Sequence, residues 1–215
     1  MKKVLLVVGL AFAVMTASAQ LYVGGALGFA LDGSPKDKDG KKWGSSNSTF
    51  GIIPEVGYSL NDKIDVGIAL GLVLNKETGW ANDDKTGSTK ATGFGVEPYV
   101  RYSFCEFGKF SLLGKAAFGF GSLSFNEFDK DDKEIPNSKS GATAIRFAIT
   151  PVVLYSLSDN VCLFTNLNFA GLNFTSVSTK VNGDKTGSKS DFGIGINTNS
   201  AFTTGALEVG FVYSF

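Results

Sequence analysis

Seven ionisable side chains interrupt stretches of sequence that are otherwise apolar or small, and they are the residues best placed to do chemistry. They are Glu55, Asp65, Glu97, Arg101, Lys115, Arg146 and Glu208. Four acids and three bases suit paired ions better than a catalytic centre, because unpaired charges in an apolar setting are costly. We expect a hydrogen-bonded structural network. The alternative is an ion gate, in which Glu97, Lys115, Glu208 and Arg101 exchange partners.

Several kinds of chemistry are excluded or weakly supported by composition. The chain has no histidine, which removes the usual proton carrier near neutral pH and every His-ligated zinc or haem site. Two cysteines far apart in sequence make no metal site. The acidic run 129–134 lacks the glycine and the spaced ligands of a calcium loop, so we interpret it as a solvated loop, with calcium or lipopolysaccharide bridging as the alternative. We therefore predict no enzyme activity, no cofactor and no metal.

The N-terminal residues have the pattern of a secretory signal. Lys2 and Lys3 precede an apolar run from Val4 to Met15, which is shorter than the roughly 20 residues of a membrane-spanning helix. Small residues then precede Gln20, so we predict a cleaved signal at 1–19 and one domain at 20–215. The whole chain carries 20 basic and 20 acidic residues, and this balance argues against a nucleic-acid partner.

Beyond the signal, apolar segments with a period of two alternate with polar segments. Ile64, Val66, Ile68 and Leu70 fall on one face of such a segment, and small or polar residues fall on the other. The long polar segments are Asp32 to Ser48, Lys76 to Lys90, Asn126 to Ser140 and Ser176 to Ser190. Short ones lie between them in strict alternation, so seven connections join eight predicted strands. Leu113, Val152, Leu154 and Phe164 do not fit, since they would lie on the polar face.

A short motif marks the ends of the even-numbered predicted strands. The form Pro-x-Val-x-Tyr-Ser-Leu/Phe occurs at 54–60, 98–104 and 151–157, and the chain ends in Tyr-Ser-Phe. All four copies come just before a short connection or the terminus, so we expect their rings at one level, as in an interfacial aromatic girdle. The predicted girdle and terminal residues are Tyr58, Tyr102, Tyr155, Phe211, Tyr213 and Phe215. Bulges are expected at the prolines. Three-residue turns would place Leu60, Phe104 and Leu157 opposite Ile64, Gly108 and Val161.

The chemistry of the two strand faces distinguishes two kinds of barrel. A soluble barrel turns its apolar face inward and carries charged residues outside. Here the less apolar face is mostly Gly, Ala and Ser with isolated charges, which suits the narrow interior of an eight-stranded barrel. We therefore predict an all-β, eight-stranded antiparallel up-and-down transmembrane barrel with short periplasmic turns and long extracellular loops.

These residues resemble a known family. The signal ending Ala-Ser-Ala-Gln, the opening segment 21–29, the Tyr-Ser motifs and the terminal Val212-Tyr213-Ser214-Phe215 are similar to the outer membrane protein beta-barrel domain family, related in architecture to the OmpA and OmpX barrels. The resemblance covers the mature chain. It implies a Gram-negative outer membrane location, and it implies that Phe215 ends the strand recognised by the barrel-assembly machinery, with Phe211 and Tyr213 as the rest of that signal. Outer-membrane barrel enzymes resemble one another in needing a catalytic histidine, which this chain lacks.

The resulting functional hypothesis is a non-enzymatic structural or surface-interaction barrel with a charged, largely plugged lumen. Its expected partners are outer-membrane lipid, lipopolysaccharide and the barrel-assembly machinery, and we expect a monomer. A small porin-like channel for ions or solutes is the competing function, and a soluble ligand-binding barrel is a third. Cys105 and Cys162 are expected near the periplasmic rim on strands that are not neighbours, which disfavours a disulfide without excluding one.

Overall fold

The computed structural model describes residues 21–136, 138–181, 184–196 and 207–215. The predicted signal at 1–19 lies outside these residues. The strands are β1 (Leu21–Asp32), β2 (Trp43–Asn61), β3 (Ile64–Ala81), β4 (Asp84–Phe107), β5 (Phe110–Phe128), β6 (Ser140–Ser156), β7 (Val161–Leu167), β8 (Ala170–Val181), β9 (Asp184–Ile196) and β10 (Leu207–Ser214). The described residues include no helix of the length and hydropathy needed to cross a membrane.

The strands form a closed antiparallel ring. Consecutive strands pair from β1 to β7, β7 pairs with β10, and β10 pairs with β1. This ring has eight strands, which confirms the predicted fold class. The remaining strands, β8 and β9, extend the sheet from the other half of β6. Predicted strands seven and eight are therefore each divided in two, as β7 with β8 and β9 with β10.

Side chains alternate between the two faces as the period of two requires. Large apolar residues such as Leu70, Phe94 and Phe120 point outward and are 41%, 53% and 56% exposed. The opposite, inward face carries Gly, Ala and the charged residues. The interior is filled mainly at the end of the barrel that holds the short turns, which we call the short-turn end. The other end holds the long polar segments.

Two of the predicted long loops are strands instead. The polar segment Lys76 to Lys90 continues the β3–β4 hairpin as far as Ala81 and Asp84. Asn82 and Asp83 alone form the turn, with φ of 53° and 68°, the left-handed pair that tight hairpins require. Similarly, the segment Ser176 to Ser190 is mostly β8 and β9. Polar side chains in both segments keep the alternating pattern, so strand pairing continues beyond the apolar residues.

Turn geometry at the short-turn end also differs in part from expectation. Leu157 lies opposite Val161 as predicted, with its N–H bonded to the Val161 carbonyl at 2.8 Å. In contrast, Phe107 rather than Phe104 begins the β4–β5 turn, pairing with Phe110 across Gly108, whose φ is 60°. Asn61 pairs with Ile64 after a register shift. The prediction of bulges at the prolines is wrong, because the register is unchanged across Pro54, Pro98 and Pro151.

Candidate functional site in the barrel interior

The most buried ion pair joins strands β2 and β4 across the interior. Arg101 Nη2 donates to Glu55 Oε2 and Oε1 at 2.7 and 2.8 Å. The two side chains are 1% and 3% exposed. Strand β3 lies between them, with Ala69 opposite Glu55 and Asp65 opposite Arg101. The small residues Ala69 and Gly67 leave the space through which the two long side chains meet.

Aromatic rings surround the Arg101 guanidinium. Its central carbon lies 4.6 Å from the ring centroid of Tyr99, 5.2 Å from that of Phe164 and 5.9 Å from that of Tyr22. The Tyr22 and Tyr99 hydroxyls are hydrogen-bonded at 3.1 Å. Desolvated cation–π contacts of this kind favour the charged side chain in a dry site.

Glycine makes room for both tyrosine rings. A Cβ on Gly57 would collide with the Tyr22 ring, and a Cβ on Gly67 would lie 2.5 Å from Tyr99 Cζ. Gly57 and Gly67 are thus required by the rings packed over them. This is a packing role, separate from turn formation.

The apolar residues that did not fit the alternation lie inside the barrel together. Leu113, Val152 and Phe164 are buried in one cluster with Tyr22, Ala26 and Val212, and Leu154 packs against it. Val152 is fully buried. These residues fill the interior beside Arg101, which explains why they share a face with the charged set. We call this filled region, with Glu55 and Arg101, the lower lumen.

A second ionic group lies on β4, β5 and β6. Lys115 Nζ is 2.7 Å from Glu97 Oε1, and Arg146 Nη1 is 3.4 Å from Glu97 Oε2. Arg146 Nε also donates to Asn173 Oδ1 at 3.0 Å. The Glu97 and Arg146 side chains are 23% and 37% exposed, so this group is considerably wetter than the Glu55–Arg101 pair.

The three-residue turn expected between Phe104 and Gly108 predicts Lys115 opposite Glu97 and Phe110 opposite Tyr102; that register is wrong, although the Glu97–Lys115 ion pair forms. Lys115 lies opposite Arg101 in the ladder rather than opposite Glu97. Its long side chain reaches Glu97 diagonally. Similarly, Phe110 does not face Tyr102; it packs on Tyr155, with ring centroids 4.7 Å apart. Both differences follow from the two-residue turn at Gly108.

Glu208 and Asp65 are held by neutral partners. Asn166 Nδ2 donates to Glu208 Oε1 at 2.8 Å, and Ser59 donates to Asp65 Oδ1 at 2.7 Å. The structure therefore groups Glu55 with Arg101 and Glu97 with Lys115 and Arg146, and it places Glu208 beside Asn166. Sequence reasoning missed Asn166 and Asn173. Their positions on the inward face of otherwise apolar segments were the available signal.

A cavity of about 690 Å³ occupies the interior toward the long-connection end. Its walls include Arg146, Thr150, Asn173, Thr175 and Asp191, together with the backbone of β9 from Phe192 to Ile196. Nearby, the inward positions of three neighbouring strands are glycines at one level, namely Gly71, Gly95 and Gly121. We call this open region the upper lumen. Its polar lining suits water or a small polar group.

The predicted girdle residues lie on the outward face at the short-turn end. Tyr58, Tyr102 and Tyr213 are 36%, 42% and 42% exposed. Tyr102 meets Phe104 edge to face at 5.2 Å, and Tyr213 meets Phe215 in the same way at 5.1 Å. Phe211 is 55% exposed on the same strand. Tyr155 is the more covered member, since it packs on Phe110.

The two cysteines lie in the described part of the chain, on strands that are not neighbours. There, Cys105 on β4 and Cys162 on β7 are free thiols, and the Cys162 thiol lies 3.6 Å from the Ser156 hydroxyl. No group of three or more potential His, Cys, Asp or Glu ligands lies within metal-binding reach among these residues.

Neither a known protein family nor a curated protein matches this sequence. Among solved structures, Neisserial surface protein A is similar with a TM-score of 0.44 at 15% identity, covering 92% of this chain and 98% of its own. A major outer membrane protein from Thermus thermophilus gives 0.42 at 13%, covering 91% and 99%. The outer membrane protease OmpT from Escherichia coli gives 0.36 at 10%, covering 91% and 97%. Likeness this distant carries no argument about function, which must come from the geometry.

Proposed function

We propose that this protein is a non-enzymatic β-barrel of the Gram-negative outer membrane, which contributes to envelope integrity and presents polar hairpins and loops at the surface. One observation carries the proposal: a closed ring of strands turns its large apolar side chains outward and buries the Glu55–Arg101 ion pair inside. Water would oppose that arrangement, whereas a bilayer favours it.

The packing in the lower lumen supports the proposal of a largely plugged lumen. An eight-stranded barrel is just wide enough for side chains to fill. In the lower lumen that space is taken by Phe164, Val152, Leu113 and the Glu55–Arg101 pair. The proposed protein is therefore closed to ions across the membrane, although its upper lumen is open. The girdle and Phe215 would then serve as the interfacial belt and the assembly signal.

Heat-modifiability of the refolded mature chain, followed by single-channel recording, tests the proposal. We expect faster migration of the unheated sample in electrophoresis and no steady conductance steps in a planar bilayer. A mobility shift with steady steps would replace the plugged barrel with the small porin-like channel. Absence of a shift, with protein soluble in detergent-free buffer, would overturn the membrane placement.

A further inference from the structure

Two lysines lie directly opposite each other on the outward face of the barrel wall. Lys76 on β3 pairs with Lys90 on β4 in the antiparallel ladder. They continue the outward series of Leu74 and Phe94, because side chains alternate between the two faces of a strand. Directly opposed residues have Cβ atoms about 4.5–5.5 Å apart, and like charges at such positions destabilise a strand pair. An anion shared by the two ammonium groups would remove this repulsion.

The two lysines are not neutralised by acids of the described part of the chain. Neither Lys76 nor Lys90 forms an ion pair there. The Asp132 carboxyl lies within electrostatic reach, since its pKa is lowered mainly by its hydrogen bond to Lys85 and further by the charges of Lys76 and Lys90. That carboxylate, however, is bonded to Lys85 at 2.6 Å. Glu77 follows Lys76 in sequence and therefore lies on the opposite, inward face. Two positive charges are left in excess on the outer wall.

The lysine pair lies at the boundary of the apolar belt. On β3 every outward position from Ile64 to Leu74 is apolar, and Lys76 follows. Ile64 lies opposite Tyr102 of the girdle and twelve residues before Lys76. With a rise of about 3.3 Å per residue and a strand tilt of roughly 35–45°, this length of strand covers about 30 Å of membrane depth. In the proposed membrane placement, the lysines therefore lie at the level of the lipid headgroups on the side of the long connections.

Polar side chains flank the two lysines at the same level of the wall. Ser48 on β2 lies opposite Lys76, and Asn126 on β5 lies opposite Lys90. The Lys90 ammonium lies 4.1 Å from the centroid of the Phe128 ring, and this cation–π contact favours a position of the charge close to the wall. Across four neighbouring strands, the row therefore consists of a hydroxyl, two ammonium groups and an amide.

Two buried polar atoms on the same face, beside Lys90, lack a hydrogen-bond partner. They are Ser88 Oγ and Asn126 Oδ1, and the described residues contain only two other such side-chain atoms. Ser88 is 6% exposed and lies two residues from Lys90, hence on the same face of β4. Buried polar groups of native proteins are nearly always hydrogen-bonded. The hydrogen bonding around Lys90 is therefore incomplete in the protein alone, as expected beside a binding position for a polar ligand.

We propose that this row binds a phosphomonoester glycolipid of the outer leaflet, of the lipopolysaccharide type. Its phosphate lies between the ammonium groups of Lys76 and Lys90, its sugar hydroxyls lie against Ser48 and Asn126, and its acyl chains lie along the apolar belt that begins at Leu74. A phosphomonoester carries a charge of about −1.5 to −2 at neutral pH, which matches two ammonium groups better than the single charge of a phosphodiester. This inference rests on the proposed membrane placement, and it assigns one site on the barrel wall to a lipid of defined chemistry.

The test titrates the refolded mature chain in detergent micelles with diphosphoryl lipid A and counts bound lipid by native mass spectrometry. We expect a single high-affinity lipid A molecule on each barrel. Lys76→Gln combined with Lys90→Gln should weaken this binding about a hundredfold, since each charge-assisted contact contributes about tenfold. The matched control combines Lys63→Gln with Lys109→Gln. It removes two exposed lysines from turns at the short-turn end and should leave the affinity unchanged.

Changes in the ligand identify the group that is recognised. Lipid A without its phosphates should bind the unmutated chain as weakly as diphosphoryl lipid A binds the double variant. Phosphatidylglycerol, a phosphodiester, should bind about tenfold more weakly than diphosphoryl lipid A. Equal affinity for either of these lipids would contradict the phosphomonoester site. Competition by inorganic phosphate at the concentration of lipid A would assign the site to free phosphate and overturn the lipid ligand.

Heat-modifiability separates the failure of this site from the failure of the proposed function. Absence of the mobility shift in the unmutated chain would overturn the barrel itself. A retained shift in the double variant, with unchanged affinity for diphosphoryl lipid A, would overturn only the lipid site. If the double variant loses its shift, Lys90→Gln alone provides the comparison, with an expected loss of affinity of about tenfold.

Discussion

The lower and upper lumen are lined by the same alternating strands, but the lower lumen is filled and the upper lumen is open. In the lower lumen, large side chains such as Phe164 and Tyr22 fill the interior around an ion pair that is at most 3% exposed. In the upper lumen, glycines at matched positions leave a cavity, and the Glu97 side chain is 23% exposed. Residue size on the inward face therefore decides whether an eight-stranded barrel is a solid core or a container.

The charges in the two regions differ in what they contribute. A buried pair must offset the desolvation of both ions, so removal of one partner leaves an uncompensated charge. A partly hydrated group loses less, because water replaces the missing partner. We infer that Glu55–Arg101 is a structural element, whereas the Glu97 group remains available to solvent and solutes.

The largest expected effect comes from breaking the lower pair. Arg101→Met should lower the free energy of unfolding by about 3–5 kcal/mol, because it leaves the Glu55 carboxylate buried without a counterion. Urea unfolding in lipid vesicles, followed by loss of heat-modifiability, measures it. Arg146→Met is the matched control in the upper lumen and should cost less than about 1 kcal/mol.

A double variant distinguishes charge from packing in that result. Arg101→Met combined with Glu55→Leu should recover most of the lost stability, since a similar apolar volume replaces the whole pair. Equal losses for Arg101→Met and Arg146→Met would contradict the contrast between the two regions, because both arginines would then be equally important to folding.

The second expected effect concerns glycine on the inward face of β3. Gly67→Ala should destabilise the barrel by about 1–3 kcal/mol, because its Cβ would lie 2.5 Å from Tyr99 Cζ and Oη and the ring must move. Gly71→Ala is on the same strand and face, and its Cβ would meet nothing within 4 Å. We expect that control to remain within about 0.5 kcal/mol. Urea midpoints measure the stability of the two variants, and near-ultraviolet circular dichroism reports the packing of the tyrosines. Similar losses of stability for both variants would show that β3 resists any added side chain.

The sequence predicted the ring and its sidedness because the period of two persists through Ile64 to Leu74 and through Phe94 to Phe104. It also placed Lys115 and Glu97 on one face. It did not assign an acid to Arg101 or Arg146, and it placed Lys115 in the wrong register, because the two-residue turn at Gly108 shifts β5 along β4. Likewise, Phe164 does not fit the alternation in the sequence. Its inward position is explained by its packing against Arg101, which only the structure shows.

The division of the last two predicted strands was also beyond sequence reasoning. Gly171 looks like any other strand glycine in the sequence, and its φ of 110° belongs to the place where the partner of β6 changes from β7 to β8. The polar composition around Lys76 and Thr89 predicts a loop. Both residues instead continue the β3–β4 hairpin, because the backbone hydrogen bonds of a strand pair do not depend on apolar side chains.

The smallest expected effect on stability comes from an ion pair outside the lumen. It joins the β3–β4 connection to the β5–β6 connection at the protein surface. Lys85 Nζ is 2.6 Å from Asp132 Oδ1, and this hydrogen bond holds the pKa of the Asp132 carboxyl below its ordinary value. A carboxyl with a lowered pKa in the folded protein stabilises it above the ordinary pKa of Asp, and this contribution disappears as pH falls through the lowered value. Because the carboxyl is solvated, the change in stability should be minor.

Carbon-13 carboxyl titration of Asp132 measures this shift directly. Lys85→Gln should raise the Asp132 pKa toward its ordinary value, whereas Lys139→Gln, which affects the neighbouring Glu134 pair, should not. If the pKa of Asp132 stays low in Lys85→Gln, the two connections do not meet at this ion pair. If the Asp132 pKa rises while the urea midpoint is unchanged, this surface ion pair contributes little to the free energy of unfolding. The contribution of an ion pair then decreases with its burial, from Glu55–Arg101 through the Glu97 group to the surface.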